Sequence, residues 1–565
     1  MNARETNKPF TRWLLFKFKG KVAISLGSEH AMFNSKLHIF PKILALALLL
    51  AVITGFDNAQ PPAGTQETPK DAPGFELQQK APESPPRPPG PPGKNPDLPR
   101  DKELEPNPID SGPDAAAIKK GLTPGNVLSW ETGAGKSHLI PALELLGFEA
   151  LLHGFDRIVY ADKTEDGKKV YGVTTGTIWE HLSEQKWVFD KDPFNVNQFG
   201  HPYQGATVYG LARSSGLSFW ESLAYSNAGS FLWEMAGETG NPSINDIITT
   251  GNAGSLLGEA LFRMSQLVLQ DKRIKSSVWR EVGAGVISPP TAVNRYAFGD
   301  RFKTVFPNYD PATFWRFQLG ARLDRSVTDA SLDFGMSYGL PGKPGYTYQR
   351  PLDYFDFQVS GQAKAGNPLE NVLLRGLLYG RQYEAGNDYR GIWGLYGSYD
   401  YISPSTFRVS TTALSLGTTG QYWLAPGVAL QGSLLGGVGF GAAGVTQASG
   451  ERDYHYGVTP QGLLALRLLF GDRVALEMAG RGYYVSGTGS DNTEGSERIV
   501  RASTNLNVRI YGRHGLGIQY VESIRDAKYG NSPNKHQSDG AVSLVYTFLG
   551  DTHFGAVEWR EPSEH

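Results

Sequence analysis

Residues 499–511 read IVRASTNLNVRIY, in which Val500, Ala502, Thr504, Leu506, Val508 and Ile510 alternate with Arg501, Ser503, Asn505, Asn507 and Arg509. A period of two places the first set on one face of a strand and the second set on the other. Strands of soluble sheets average about 5–6 residues. This run spans thirteen, and a tilted strand crossing a bilayer needs about 9–11. The alternation therefore reads as a membrane strand with a lipid face and a wet face.

The same pattern extends outward along the chain. In FWRFQLGARLD (314–324), Trp315, Phe317, Leu319, Ala321 and Leu323 oppose Arg316, Gln318 and Arg322. In YFDFQVSGQAK (354–364), Phe355, Phe357, Val359 and Ala363 oppose Asp356, Gln358, Ser360, Gln362 and Lys364. Further strands read from SLDFGMSYGL, YRGIWGLYGSYDY, LLALRLLF, VALEMAGRGYY and AVSLVYTFL, with turns at Gly471-Asp472, EAGND, TGSDNTEGSE and YGNSPNKHQSD between them. Aromatics at strand ends (Trp315, Trp393, Tyr399, Tyr401) suit an interfacial girdle. An open sheet edge in lipid would leave amides unpaired, so the sheet must close. The expected fold is mainly β: a transmembrane antiparallel β-barrel of about 12 strands, within 10–14, occupying 276–565. The polar face suits a wet or plugged lumen, and the tail HFGAVEWRE is either one more strand or an extension.

Composition agrees with this reading. The chain has 68 Gly, 28 Phe, 26 Tyr and 11 Trp, with 19% charged residues. A formal charge of −2 gives no electrostatic reason for a nucleic-acid partner. The absence of cysteine excludes disulfides, thiolate metal sites, a cysteine nucleophile and a lipidated N-terminal cysteine.

Ahead of the barrel the chain divides by texture. Residues 1–59 contain the uncharged run ILALALLLAVITG (43–55) behind Lys36 and Lys42, the pattern of a signal-peptide core, with cleavage expected near Ala59 and Met32 as a possible true start. Residues 60–113, including ESPPRPPGPPGKNPDLPRDKELEPNP, are too rich in Pro and charge to bury a core and read as a disordered periplasmic linker. Residues 114–200 are mixed: HLIPALELLGFEALLHGFDRIV reads as a helix interrupted at Gly147, and GKKVYGVTTGTIW as extended. Residues 201–275 read as a small helical module, with Ser243 as an N-cap, Asp246 at the capping-box position, and Gly254 and Gly258 as a small-xxx-small step. No helix there is charge-free over a membrane-spanning length.

Motifs for chemistry are sparse. Gly133-Ala134-Gly135-Lys136-Ser137 imitates the end of a P-loop, but Trp130 stands where the first glycine belongs, so no nucleotide is expected. No nucleophile elbow, HExxH or Cys/His spacing is present, and the sequence points to no cofactor and no metal. The block Trp187 to Glu259 is the exception. On Asp192-Pro193-Phe194, Asn197-Gln198, Gly200-His201-Pro202-Tyr203, Trp233-Glu234, Glu238, Pro242-Ser243 and Asn245-Asp246 it resembles an uncharacterised family of exported bacterial proteins, the domain of unknown function 3943. The resemblance implies an outer-membrane setting and no activity.

Read from the residues, His201, Glu234, Glu238 and Asp246 are the candidate site. Four positions apart, Glu234 and Glu238 should share a helix face. They could raise each other's pKa and act as acid and base, or hold a divalent cation with His201. Structural uses weigh more: each acid capping a helix, pairing with Arg213 or Arg263, or facing lumen water. The small-residue faces of the module need a partner, and the barrel lumen is the nearest candidate. The expectation is thus an outer-membrane barrel with its N-terminal segment in the periplasm, acting as a plugged or gated channel or an envelope structural or transport component. The alternative is an outer-membrane enzyme modifying lipid or lipopolysaccharide through the module's carboxylates. Expected partners are outer-membrane lipids and the barrel-assembly machinery, with a possible peptidoglycan contact through the linker.

Overall fold

A computed structural model describes residues 127–558, apart from 166, 185, 191, 324–327, 364–368, 405, 446–453, 488–494 and 530–531. The expected leader and Pro-rich linker lie outside the described residues.

Twelve strands close into one barrel. They are β3 (Thr313–Leu323), β4 (Thr328–Tyr338), β5 (Phe355–Gln362), β6 (Leu369–Ala385), β7 (Tyr389–Ile402), β8 (Phe407–Ala425), β9 (Val428–Val445), β10 (Tyr454–Phe470), β11 (Val474–Ser486), β12 (Gly495–Tyr511), β13 (His514–Tyr529) and β14 (Ser532–Leu549). Each pairs antiparallel with its sequence neighbour, and β14 returns to β3 from Val542↔Leu323 to Leu549↔Arg316. Closure leaves the sheet no edge strand, as a membrane demands. We call the end where β3 begins and β14 stops the terminal rim, and the opposite end the loop rim. Four terminal-rim turns, at 386–388, 426–427, 471–473 and 512–513, are only two or three residues long. Gly427, Gly471 and Gly512 there take φ of 72°, 52° and 51°, open to glycine at little cost.

The expected alternation is present. On β12, Val508 is 38% exposed while its neighbour Asn507 is fully buried, and Leu506 and Ile510 share the outward face with Val508. The barrel lines its own lumen with an apolar layer at each rim. At the loop rim, Leu373, Ile402, Phe407, Val409, Tyr483 and Ile499 belong to an apolar layer. At the terminal rim, Phe314, Leu340, Trp423, Leu469, Phe554 and Val557 belong to another. As far as Glu558, the last described residue, the tail is neither strand nor free extension: Gln421 Nε2 donates to Val557 O at 2.6 Å, Gln431 Nε2 to Gly555 O at 2.7 Å, and Trp423 Nε1 to Glu558 O at 2.7 Å. Between the layers lies a cavity of about 150 Å³ lined by Arg316, Asp400, Gln461, Arg467, Glu477 and Asn505 among others. Its charges are paired, Arg316 bridging Asp333 at 2.9 Å and Glu477 at 3.0 Å.

The helical part runs past 275. It comprises α1 (Leu139–Val159), a hairpin of β1 (Thr164–Glu165) and β2 (Lys168–Lys169), α2 (Thr175–Glu184), α3 (His201–Ser214), α4 (Phe219–Ala236), α5 (Ile244–Asp246), α6 (Gly254–Gln270), α7 (Ser277–Ile287) and α8 (Pro289–Ala297). Two sequence expectations change here. α1 is continuous through Gly147, whose surroundings are open, so the missing side chain costs only propensity. GKKVYGVTTGTIW is extended only at Lys168–Lys169, because residues from Thr175 onward join a helix packed on α4. The small-residue step behaves as expected. A Cβ on Gly254 would stand 2.3 Å from Gly205 C, and one on Gly258 2.5 Å from the Tyr209 ring, so α3 and α6 meet backbone to backbone.

The module does not enter the lumen. Phe194, Phe199, Leu256, Leu257, Ala260 and Leu261 share one apolar cluster with Tyr338, Phe355, Leu374, Tyr399, Tyr401 and Tyr456 of the barrel. Those barrel residues have the outward parity: Tyr399 lies on the face of exposed Trp393, and Tyr456 on that of exposed Val458 and Leu464. A Cβ on Gly397, on the same face, would touch Leu256 at 3.1 Å. The lumen placement expected from sequence is therefore corrected: the module seats on the outer wall. The physical reason is that the interior is lined by self-paired polar side chains and capped by the tail, whereas the aromatic wall offers apolar area to bury.

Candidate functional site

The site begins where the chain leaves Pro193. The carbonyl of Pro193 accepts from both Val196 N (2.7 Å) and Asn197 N (3.1 Å). The backbone then runs through a widened helical turn, Val196–Gly200, into α3. A second widened stretch, Ile247–Ala253, joins α5 to α6. Such i→i+5 turns are rare and concentrate at functional sites. Here they aim two polar segments at one place.

Asn197 is the hub. Its Nδ2 lies 2.5 Å from Asp190 Oδ1, 3.0 Å from Tyr454 Oη and 3.1 Å from Tyr456 Oη. Tyr454 Oη donates to Asp192 O at 2.6 Å, and Tyr399 Oη donates to Gln198 O. Asn245 Nδ2 donates to Asp190 Oδ1 at 2.6 Å and to Asp246 Oδ1 at 2.9 Å, while its Oδ1 accepts from Asp190 N at 3.0 Å. Ser243 caps α5, its Oγ accepting from Asp246 N at 3.3 Å, as the Ser243/Asp246 reading expected. Ser243 N in turn donates to Glu234 Oε2 at 2.6 Å. Finally, His201 Nε2 stands 3.7 Å from Asp246 Oδ2, and Lys163 Nζ 3.3 Å from Asp192 Oδ2.

The structure thus gathers His201, Glu234 and Asp246 with Asp190, Asp192 and Asn245, and Glu238 lies within their electrostatic reach. The expected shared helix face of Glu234 and Glu238 is not found. α4 ends at Ala236 with Gly237 as its C-cap, so Glu238 projects from beyond the helix. Burial dominates the electrostatics. It pushes Glu238 up to about 8, helped by Asp192. It also raises Asp246 and Glu234 well above the usual carboxylate range, with Asp190 and neighbouring glutamates adding to the effect. Burial lowers His201, with Asp190 and Asp192 only partly offsetting it. Neutral carboxyls can donate as well as accept, which lets so many acids share one buried network.

A second polar knot ties the module down nearer the terminal rim. Glu259 accepts from Arg213 Nε and Arg263 Nε, both at 2.7 Å, and from Tyr209 Oη at 2.8 Å. Arg263 Nη1 reaches Asp353 Oδ1, in the β4–β5 connection, at 2.8 Å. Burial alone would raise Glu259, but Arg213 and Arg263 outweigh it and hold it at about 2. This is the pairing with Arg213 and Arg263 that the sequence offered.

What the cluster can do chemically is bounded by its partners. Ser243 is committed to capping and Ser230 Oγ donates to Asp246 O at 3.2 Å. No group of three or more His, Asp or Glu among the described residues is arranged to hold a metal ion. The residues that sequence reasoning missed are Asp190 and the barrel tyrosines. Tyr399 and Tyr401 had been read as girdle, yet both are fully buried beneath the module. Their alternation was a true signal of an outward face and carried no information about what covers it.

A closed up-and-down barrel with an apolar outer belt and a self-paired polar interior defines an outer-membrane-type β-barrel. Ahead of it, residues 186–290 match the family described as Domain of unknown function (DUF3943), so the resemblance drawn from sequence holds over the segment that carries the Asn197 and Asp246 network. No curated protein matches the chain. Among solved structures it is similar to OmpT, an outer membrane protein of Vibrio cholerae, at 9% identity over 42% of this chain and 96% of that one, with a TM-score of 0.18. It is also similar to a bacterial polysaccharide outer membrane secretin (8% identity, 42% and 97% covered, TM-score 0.19) and to a mutant of the TodX monoaromatic hydrocarbon channel (9%, 48% and 94%, 0.17).

Proposed function

We propose that this protein is a non-conducting outer-membrane barrel that serves as a structural anchor, holding its helical module against the barrel's outer wall. The observation that carries the reading is the set of inward side chains: an apolar layer at each rim, the tail Phe554–Val557 lodged in one of them, and paired charges between. On this reading the run 43–55 directs export, 60–113 tethers the barrel from the periplasmic side where it can meet peptidoglycan, and the barrel-assembly machinery inserts the strands. The test is single-channel conductance of the refolded protein in a planar bilayer. Silence from protein that still shows heat-dependent gel mobility is expected; discrete, reproducible steps would overturn the closed-lumen reading.

A second reading, modification of lipid or lipopolysaccharide, is favoured by one contact, the 3.7 Å approach of His201 to Asp246, whose carboxyl burial and neighbouring acids push upward. A buried acid kept neutral beside an imidazole can move a proton at neutral pH. Lipid profiles of cells overproducing wild type and Asp246→Asn decide it. Identical profiles dismiss the enzyme, and a product lost only in the variant establishes it.

A further inference from the structure

The module's outer surface is built the wrong way round for a water-facing bundle. On α1, Leu143, Leu146, Leu151, Phe155 and Ile158 point outward, with Leu151 76% and Ile158 80% exposed. Of the acids on the same helix, Glu149 is buried and accepts from Gln204 Nε2 at 2.9 Å, and Glu144 and Asp156 are half-buried; Arg157 in the last turn is exposed. On α7, Trp279, Val282 and Val286 are exposed, Trp279 by 68%, while Glu281 pairs with Arg295 of α8 at 2.7 Å. A helix normally presents its apolar stripe to its own core and its charge to water.

The barrel explains the inversion. The module covers the outward wall at Tyr399 and Tyr401 of β7, Tyr454 and Tyr456 of β10, and Tyr338 and Phe355 of β4 and β5, while Trp393, Val458 and Leu464 stay exposed further along β7 and β10, so covered and bare wall adjoin on the same strands. The uncovered wall, on β12 to β14, exposes Leu506, Ile510, Leu516, Ile518 and Leu544, the belt that meets hydrocarbon. That belt has to continue around the molecule, because lipid chains cannot end at the edge of the module without exposing apolar surface to water.

We infer that the helical module lies within the lipid bilayer beside the barrel, the outer faces of α1 and α7 resting against membrane acyl chains. No described helix is long and apolar enough to cross a membrane alone. None needs to, since a helix beside the barrel satisfies its backbone internally, and Glu149 and Glu281 are paired with neighbouring helices. The inference goes beyond the anchoring role and stands apart from it: a conducting lumen would leave this surface unchanged.

The chain has no cysteine, so single labels can be placed freely. Nitroxides on Leu146→Cys and Val282→Cys, in full-length protein refolded into phosphatidylcholine liposomes, should collide readily with oxygen and poorly with a water-soluble nickel chelate. They should match Val508→Cys on the bare barrel wall and contrast with Glu384→Cys at a terminal-rim turn. Labels open to nickel like Glu384→Cys would overturn the inference by placing the module in water. Labels shielded from both probes would overturn it by showing a second copy or another protein on these faces. All of these positions are exposed, so the substitutions leave packing intact, and Leu143→Cys and Val286→Cys repeat the measurement on the same two faces.

Discussion

Asn197, in the widened turn before α3, and Tyr456, facing outward from β10, stand 259 positions apart and meet at 3.1 Å. The contact joins the most distinctive motif of the module to a strand that any barrel could possess. Asp190 and Asn245 complete it from the module side and Tyr454 from the barrel side, so the motif is a clamp.

Asn197→Ala should release the clamp without unfolding the barrel. It leaves Asp190 without one of its two amide donors, at a cost of about 1–3 kcal/mol for stranded buried polar groups. The expected result is faster proteolysis between residues 200 and 300 with unchanged heat-dependent gel mobility. Equal protease resistance in the variant would show that the apolar contacts alone hold the module.

Glu259→Gln should be more damaging, since Arg213 and Arg263 are both buried against that carboxylate. Breaking one partner out of a buried charge network costs about 3–5 kcal/mol. A lowered urea midpoint for the module transition measures it, and a double substitution, Glu259→Gln with Arg213→Gln, should recover part of the loss.

Docking should weaken as pH rises from about 4.5 to about 8. Glu238 sits at about 8 in the folded protein against 4.5 as a free group, so the folded state holds an extra proton between those values. Stability from this group therefore falls as pH rises through that window and is exhausted above about 8. Asp246 and Glu234 are displaced in the same direction and add to the loss. Glu259 works oppositely: held at about 2, it contributes fully at neutral pH and loses its contribution only as pH falls from about 4.5 toward 2. Protease protection of the module at a series of pH values checks the sign, and Glu238→Gln should flatten the fall between about 4.5 and about 8.

Gly205→Ala tests the helix crossing. An added Cβ would lie 1.7 Å from Thr250 O, a backbone atom that cannot step aside cheaply. Forcing the helices apart costs about 1–3 kcal/mol, and more if the backbone shift spreads to the clamp. The variant should lose module protection, while Gly147→Ala on open surface should not.

The sequence by itself determined the barrel, because strand alternation is a local property: each of Val500 to Ile510 records which side of the sheet it faces, and closure follows from the cost of an unpaired edge in lipid. It also located the acids and the helix start at Ser243, since capping depends on neighbours three residues away. Only the tertiary structure decided that the module sits outside the barrel and that Tyr399 and Tyr401 are buried beneath it rather than forming a girdle. An outward aromatic looks the same in sequence whether lipid or a helix covers it. The end of α4 two residues before Glu238 decided likewise that this acid joins the cluster from a loop. Contacts such as Asn197 to Tyr456 are set by how two separately legible elements stack, and that geometry leaves no periodic trace along the chain.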